Sequence, residues 1–276
     1  MTLNELNKKI TSILIEADIK EAEIESYYII EAVLGTSRAM YFLKKNDVVS
    51  QENVEKCMEI AEARKEHIPL QYLLGKQEFM GLEFTVTPHV LIPRQDTELL
   101  VEAVLKMLKP GMKVLDMCTG SGCIAISIAK LSKGVKVTGV DISKEALTVA
   151  RKNGEDNQVL VQWLESDMFE QITDTYDVII SNPPYIKSEV IETLMPEVRD
   201  HEPRLALDGT ADGLYFYKKL AKEAGAYLVK GGKLCLEIGY DQGKEVAELL
   251  RKNGYQEVTI AKDLCGLDRN VYGVFG

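Results

Sequence analysis

From Lys113 to the end of the chain, apolar runs alternate with amphipathic stretches, and this alternation constrains the fold more than any other feature. KVLDM is followed by CIAISIAKL, KVTGVDIS by KEALTVARKNG, and a short strand in VLVQWLESD by YDVIIS. GLYFYKKLAKEAGAYL, GGKLCLEIG and KEVAELLRKNG continue the pattern. Strands that are apolar at nearly every position need cover on both faces, and βα units supply it by laying helices on each side of a parallel sheet. The alternation predicts an α/β fold with a doubly wound, largely parallel sheet. The last two runs, QEVTIAKDL and NVYGVFG, have no helix between them and are expected to close the sheet as a strand pair.

The first 75 residues read differently. Leu3, Leu6, Ile10, Ile13, Leu14 and Ala17 fall at helical spacing. A second helix carries Ile24, Tyr27, Tyr28 and Ala32 on one face and stops at Gly35. A third runs from Ser50, a natural N-cap, to His67, with Val54, Cys57, Met58 and Ala61 in register and Pro69 closing it. These predict a small helical bundle. Residues 76–92 then alternate apolar and polar around Gly81, the pattern of a β-hairpin. The expected organisation is a helical bundle at 1–75, a hairpin connector at 76–92, and an α/β domain at 93–276 that opens with a helix after Pro93.

Composition narrows the function classes. The chain has 33 Lys+Arg against 43 Asp+Glu, a net charge of −10, and neither the first 75 residues nor the remainder is basic. A duplex-binding protein carries a basic footprint, so direct nucleic-acid binding is not expected. No apolar run is long enough to cross a bilayer, and the N-terminus lacks the apolar core of a secretory signal. The five cysteines are scattered without a CxxC pair, and there are only three histidines. Reduced thiols, a cytoplasmic location and no metal are the expectation.

Two loops carry the chemistry. In VLDMCTGSGCIAI, Gly120 and Gly122 allow a tight turn and close approach of a ligand, and the helix behind them favours an anion. Gly120, Gly122 and Ala125 also satisfy a dinucleotide spacing, and Asp141, at the end of KVTGVD, suits the ribose of either kind of cofactor. Asp116 is expected to orient the loop by accepting backbone N–H bonds. The loop Asn182-Pro183-Pro184-Tyr185 resolves the choice. It follows an apolar strand directly, at the sheet edge where α/β ligands bind. An amide or exocyclic amine is a poor nucleophile because its lone pair is delocalised. Asn182 can accept one N–H through its side-chain carbonyl, and a proline backbone carbonyl can accept the other. Tyr185 can stack on the planar group. Such a clamp positions an NH2 for methyl transfer without a strong base. Hydride transfer has no use for it.

With these residues in place, the sequence resembles the protein-(glutamine-N5) methyltransferases that act on peptide-chain release factors, the HemK/PrmC family. The resemblance runs through PLQYLLG (69–75), LIPRQDTELL (91–100), LDMCTGSGCIAI, VDIS, YDVIISNPPYI, EPRLALDG (202–209), DGLYFYKKL (212–220), LEIGYDQG (236–243) and KDLCGLDRNV (262–271). It implies a seven-stranded Rossmann-like methyltransferase domain, marked by the closing strand pair, behind a helical bundle that recognises substrate. It implies S-adenosylmethionine (SAM) as cofactor, S-adenosylhomocysteine as product, and the glutamine of a Gly-Gly-Gln tripeptide in class-1 release factors as target. By the same resemblance, Cys118, Thr119, Gly120, Ser121, Gly122, Asp141, Met168 and Asn182 bind the cofactor, with Thr97 and Glu98 bordering its pocket. Asn182, Pro183, Pro184 and Tyr185 form the catalytic and substrate-binding loop, and Glu202 and Arg204 shape the substrate side. A monomer is expected.

The sequence departs from the family pattern at several positions. Cys118 replaces the first glycine of the loop and, as a residue with a Cβ, is expected at an ordinary φ. Gln95 replaces a proline, DRNV replaces DRVV, and Met168 replaces a tryptophan, leaving Met168 or Phe169 to meet the adenine. Two other readings share the core motifs. One is a glutamine methyltransferase of a large-subunit ribosomal protein. The other is a nucleic-acid amino-methyltransferase that flips its target base into the same loop. His201 as a general base and Cys118 or Cys123 as nucleophiles are not required by the chemistry. Trp163, the only tryptophan, is expected in the core or at the pocket rim.

Overall fold

A computed structural model describes all 276 residues, which divide into two compact units. The first comprises residues 1–75 together with 195–201. Its helices are α1 (Leu3–Glu16), α2 (Ala22–Leu34), α3 (Arg38–Lys44), α4 (Gln51–Arg64) and α5 (Leu70–Leu74). Local signals set their ends. Thr2 and Glu5 form a reciprocal capping box at α1, with Thr2 N–H donating to Glu5 at 2.8 Å. Gly35 ends α2 in the left-handed conformation that glycine adopts without strain, and Ser50 caps α4 by accepting from Asn53 N–H. Leu3, Leu6, Ile10 and Leu14 form one buried stripe of α1, packed with Ile29, Ile30, Cys57 and Ala61. Arg64, only 4% exposed, is held bidentately by Glu25 and again by Glu197 at 2.9 Å. The guanidinium therefore enters the bundle paired, which is the condition for burying a charge.

The second unit comprises residues 76–194 and 202–276. It opens with the hairpin β1 (Lys76–Phe79) and β2 (Leu82–Thr85), whose two-residue turn places Met80 and Gly81 at φ +52° and +72°. Strand pairing ends at Thr85 rather than continuing to residue 92. Pro88 and Pro93 have no N–H to give a ladder, yet Val86, Val90 and Ile92 are still buried. The hairpin packs as part of this unit: Phe79 and Phe84 join the cluster of Leu100, Val104 and Ile126. Then follow α6 (Gln95–Leu105), β3 (Lys113–Met117), α7 (Cys123–Leu131), β4 (Lys136–Asp141), α8 (Lys144–Asp156), β5 (Gln162–Glu165) and β6 (Tyr176–Ser181). After β6 come three short helices, α9 (Ser188–Ile191), α10 (Pro196–His201), which lies in the helical unit, and α11 (Arg204–Leu207). The chain ends with α12 (Tyr215–Glu223) and a 3-10 turn at Ala224–Tyr227, β7 (Leu228–Glu237), α13 (Gly243–Lys252), β8 (Tyr255–Lys262) and β9 (Asp268–Phe275).

The seven strands lie in the order β5-β4-β3-β6-β7-β9-β8. β9 runs antiparallel to both neighbours and the other pairings are parallel, so the closing strand pair is present as expected. The order reverses direction between β3 and β6. Loops leaving their carboxyl ends diverge there and open a crevice, the place where ligands bind in such sheets.

Candidate active site

A cavity of about 320 Å³ opens at this crevice. Its walls come from the loops after β3, β4, β5 and β6, from residues 88–97, and from α11 and α12.

The loop after β3 is held from below. Asp116 is fully buried, and one of its oxygens accepts both the Thr119 hydroxyl at 2.5 Å and Ala125 N–H at 3.1 Å. Burial pushes its carboxyl up to about 7 against those two donors. Cys118 lies at φ +62°, so the expectation of an ordinary φ is wrong. The residue takes up the left-handed conformation that a glycine would have there, strained for a side chain. Its thiol, like that of Cys123, which reaches about 12, is pushed up by burial, which disfavours a thiolate nucleophile. Gly122, at φ +80°, caps α7. A Cβ there would fall 2.8 Å from Trp163, and one at Gly139 of β4 only 2.5 Å from it. The indole thus underpins the glycine loop rather than lining the cavity.

Asp141, at the end of β4, accepts Gly120 N–H at 2.8 Å with one oxygen and Ser143 N–H at 2.9 Å with the other. Asp141 itself lines the cavity. Ser143, not Asp141, caps α8 through Ala146 N–H. Cys118, Thr119, Gly120, Ser121, Asp141, Met168 and Asn182 all line the cavity, with Val90, Ile142 and Ala146 supplying apolar walls. Phe169 does not. It is buried and stacked on Tyr227 at 4.8 Å, so Met168 alone of that pair faces the site. A carboxylate at a strand end, a glycine turn at a helix N-terminus and an apolar slot between them fit a nucleoside carrying an amino-acid tail.

Asn182 donates its Nδ2–H to Thr97 Oγ1 at 3.1 Å, which leaves Oδ1 as a free acceptor. Pro184 lines the cavity, whereas Pro183 is buried without lining it. The Tyr185 ring packs against the core, and its hydroxyl lies 3.4 Å from Glu237 Oε1. The segment EPRLALDG clamps this loop from outside. Ile186 N–H donates to Leu207 O at 3.0 Å, and Gly209 N–H to Ile186 O at 2.8 Å. Gly209 is needed there, since a Cβ would come within 2.7 Å of the Tyr185 backbone.

Besides Gly122, Pro183 and Tyr185, three more predicted site residues lie outside the cavity lining. Thr97 lines the cavity, but Glu98 turns away and accepts Met80 N–H of the hairpin turn at 2.5 Å. Glu202 is 6% exposed and pairs with Arg94 Nη2 at 2.6 Å, so it borders the site only through that arginine. Arg204 faces outward and pairs with Glu192 and Asp208. His201 is engaged with the Glu66 carbonyl within the helical unit. Arg94, Glu237 and Gln242 were not singled out from the sequence. Arg94 lines the cavity, and Gln242 donates to the Tyr185 carbonyl at 3.0 Å. Glu237 is a carboxylate ending an apolar strand, the one signal that marks it. No group of three or more His, Cys, Asp or Glu is arranged to hold a metal ion, and no helix is long and apolar enough to cross a membrane.

The family described as PrmC N-terminal domain matches residues 5–75, and the methyltransferase small domain matches 94–200. A release factor glutamine methyltransferase of Geobacter sulfurreducens is 40% identical over 264 residues, covering 95% of this chain and 93% of that protein. One of Clostridium botulinum is 37% identical over 276 residues, covering 98% of each. Among solved structures, a methyltransferase from Pyrococcus furiosus superposes with a TM-score of 0.54 at 23% identity, covering 72% of this chain and 91% of that one. At that identity the likeness concerns the fold alone.

Proposed function

The chain belongs to the release factor glutamine methyltransferase family, and on that premise we propose how its own residues carry out methyl transfer to a glutamine side-chain amide. The target is the glutamine of an exposed Gly-Gly-Gln loop in a class-1 release factor, whose glycines allow close approach to a narrow pocket. S-adenosylmethionine, when bound, supplies an electrophilic sulfonium methyl. Asp141 accepts the ribose hydroxyls, residues 118–121 face the amino-acid tail while Gly122 caps α7 outside the lining, and Met168 and Ile142 border the base.

Asn182 Oδ1 accepts one N–H of the glutamine amide, and the backbone carbonyl of Pro183, a residue outside the cavity lining in this structure, is assigned the other. Both bonds hold the NH2 group so that its nitrogen faces the donor. Positive charge grows on that nitrogen during transfer, and two acceptors stabilise it more in the transition state than before. Tyr185, packed on the core behind the cavity lining and bonded to Glu237, holds the loop that carries Asn182 in place. No general base is required, because the N–H becomes acidic as the new bond forms.

The observation that carries this reading is the free Oδ1 of Asn182, with Nδ2 already committed to Thr97. The test is incubation of the enzyme with radiolabelled S-adenosylmethionine and, separately, purified release factor, large-subunit ribosomal protein, tRNA and DNA. Label is expected in release factor, on its Gly-Gly-Gln glutamine. Label confined to any of the others would contradict the reading.

A further inference from the structure

Arg94 is the only lysine or arginine in the cavity lining. It immediately precedes α6, and Thr97 N–H donates to its carbonyl at 3.1 Å. It therefore stands one turn before the threonine that holds Asn182. A cation there opposes the helix dipole, whose positive end lies at the N-terminus, and the arginine side chain makes no capping bond. Its anchor is also unfavourable on its own. Glu202 is 6% exposed, and both of its oxygens accept from a single arginine nitrogen, Nη2, at 2.6 Å. Burying a carboxylate carries a desolvation penalty that an ion pair at best offsets. Stability alone does not account for the pair.

The rest of the guanidinium is unused. Nε and Nη1 bond to no protein group, and the side chain is 39% exposed. Arginine carries five N–H donors and no acceptor, so donors remain for a ligand. Next along the chain from Glu202, Pro203, Leu205 and Ala206 also line the cavity, and Leu205 is 57% exposed at its mouth. This is the segment that clamps the Asn182–Tyr185 loop through Ile186 and Gly209. Arg94 is thus tied to the Asn182 part of the lining from two sides, through Thr97 and through Glu202. A glutamine flanked by glycines offers a binding site only backbone N–H and C=O groups on either side, and a donor-only group can take only the carbonyls. We propose that Arg94, held at Nη2 by Glu202, is a substrate-binding residue whose free nitrogens donate to a backbone carbonyl of the peptide segment carrying the target glutamine. Asn182 then reads the amide, and Arg94 reads the polypeptide that bears it. This role rests on the amide clamp proposed above and adds the contact that fixes the substrate backbone.

The rival ligand for the same donors is the carboxylate of the cofactor's amino-acid tail. The N-terminus of α7, capped by Gly122 behind the glycine loop, offers that carboxylate backbone N–H groups of its own. The two ligands give opposite readouts. A contact to the peptide shows in the affinity for release factor, and a contact to the carboxylate shows in the affinity for the cofactor.

The experiment measures kcat and KM for release factor, cofactor affinity and melting temperature in two variants, Arg94→Lys and the double variant Arg94→Met with Glu202→Gln. Lysine keeps a charge for Glu202 but commits its one nitrogen to it. The double variant leaves no buried carboxylate unpaired, so the fold is retained by either route. In both, kcat/KM for release factor should fall about 10- to 100-fold, the range for a lost hydrogen bond from a charged donor, with the loss mainly in KM. Cofactor affinity should stay within about threefold of wild type. An unchanged KM for release factor in the folded variants would overturn the proposal. A drop in cofactor affinity as large as the drop in kcat/KM would overturn it as well, in favour of the carboxylate. In either case wild-type methylation of release factor would leave the functional reading intact. Wild-type enzyme that transfers no methyl to the glutamine would remove both.

Discussion

Cys118 shows that a residue with a side chain can occupy a backbone conformation that favours glycine. Its φ of +62° is glycine geometry, reached at a cost of roughly 1–2 kcal/mol for a residue with a Cβ. Cys118→Gly should therefore keep cofactor binding and raise stability by up to about 1 kcal/mol, as lost thiol packing offsets part of the relief. Cys118→Val, β-branched at positive φ, should weaken cofactor binding at least tenfold. Calorimetric titration of both variants checks this, and equal affinities would show that the loop does not depend on that φ. At this scale the convergence of Asp141 and Asn182 on one cavity was legible, because strand-end loops at a switch point of the sheet meet there. The sequence misled at Cys118 because one sequence does not display φ. Glu98 and Arg204 were misread because proximity in sequence says nothing of which way a side chain turns. Glu237 was passed over because a carboxylate at the end of an apolar strand has no motif of its own.

At the scale of elements, β4 and β5 support the cofactor loop through one contact. Trp163 of β5 fills the space left by the missing side chains of Gly122, Gly139 and Gly154. Gly139→Ala would drive a methyl to 2.5 Å from the indole, and the displaced ring would press on Gly122. A destabilisation of about 1–3 kcal/mol is expected, with weaker cofactor binding. Trp163 is the only tryptophan, so its emission reports directly on the site, and urea unfolding gives the stability. Wild-type emission and midpoint in Gly139→Ala would refute the packing argument. The strands and long helices of this unit were legible because apolar runs and amphipathic stretches alternate without ambiguity; CIAISIAKL coincides with α7. Helices α3, α9, α10 and α11 were not. With four to seven residues each, they are too short to show a helical period, and neighbouring structure holds them in place. The hairpin was read seven residues too long, to 92 instead of Thr85, because buried alternation persists past the prolines that end its hydrogen bonding.

At the scale of the molecule, function is maintained against stability. Asp116 shapes the cofactor loop while buried, with its carboxyl raised from an ordinary 3.8 to about 7. The folded state therefore keeps a proton that the unfolded chain releases, and folding stability falls as pH rises from about 4 to about 7. Asp116→Asn removes that titration. Its melting temperature should decline less between pH 5 and pH 8 than that of wild type, whatever the absolute values. Parallel declines would show that Asp116 is not the group responsible. The net charge of −10 argues against a duplex-binding surface and is compatible with the protein substrate proposed above, in which the Asn182–Tyr185 loop is assigned the reacting amide.

The proposed clamp depends on Asn182 holding the glutamine amide by its carbonyl oxygen. The most direct measurement is single-turnover methyl transfer to release factor by Asn182→Ala, with cofactor affinity measured on the same preparation. Loss of transfer by at least about 100-fold, with cofactor affinity within about threefold of wild type, is the expected result. Transfer at the wild-type rate would contradict the clamp.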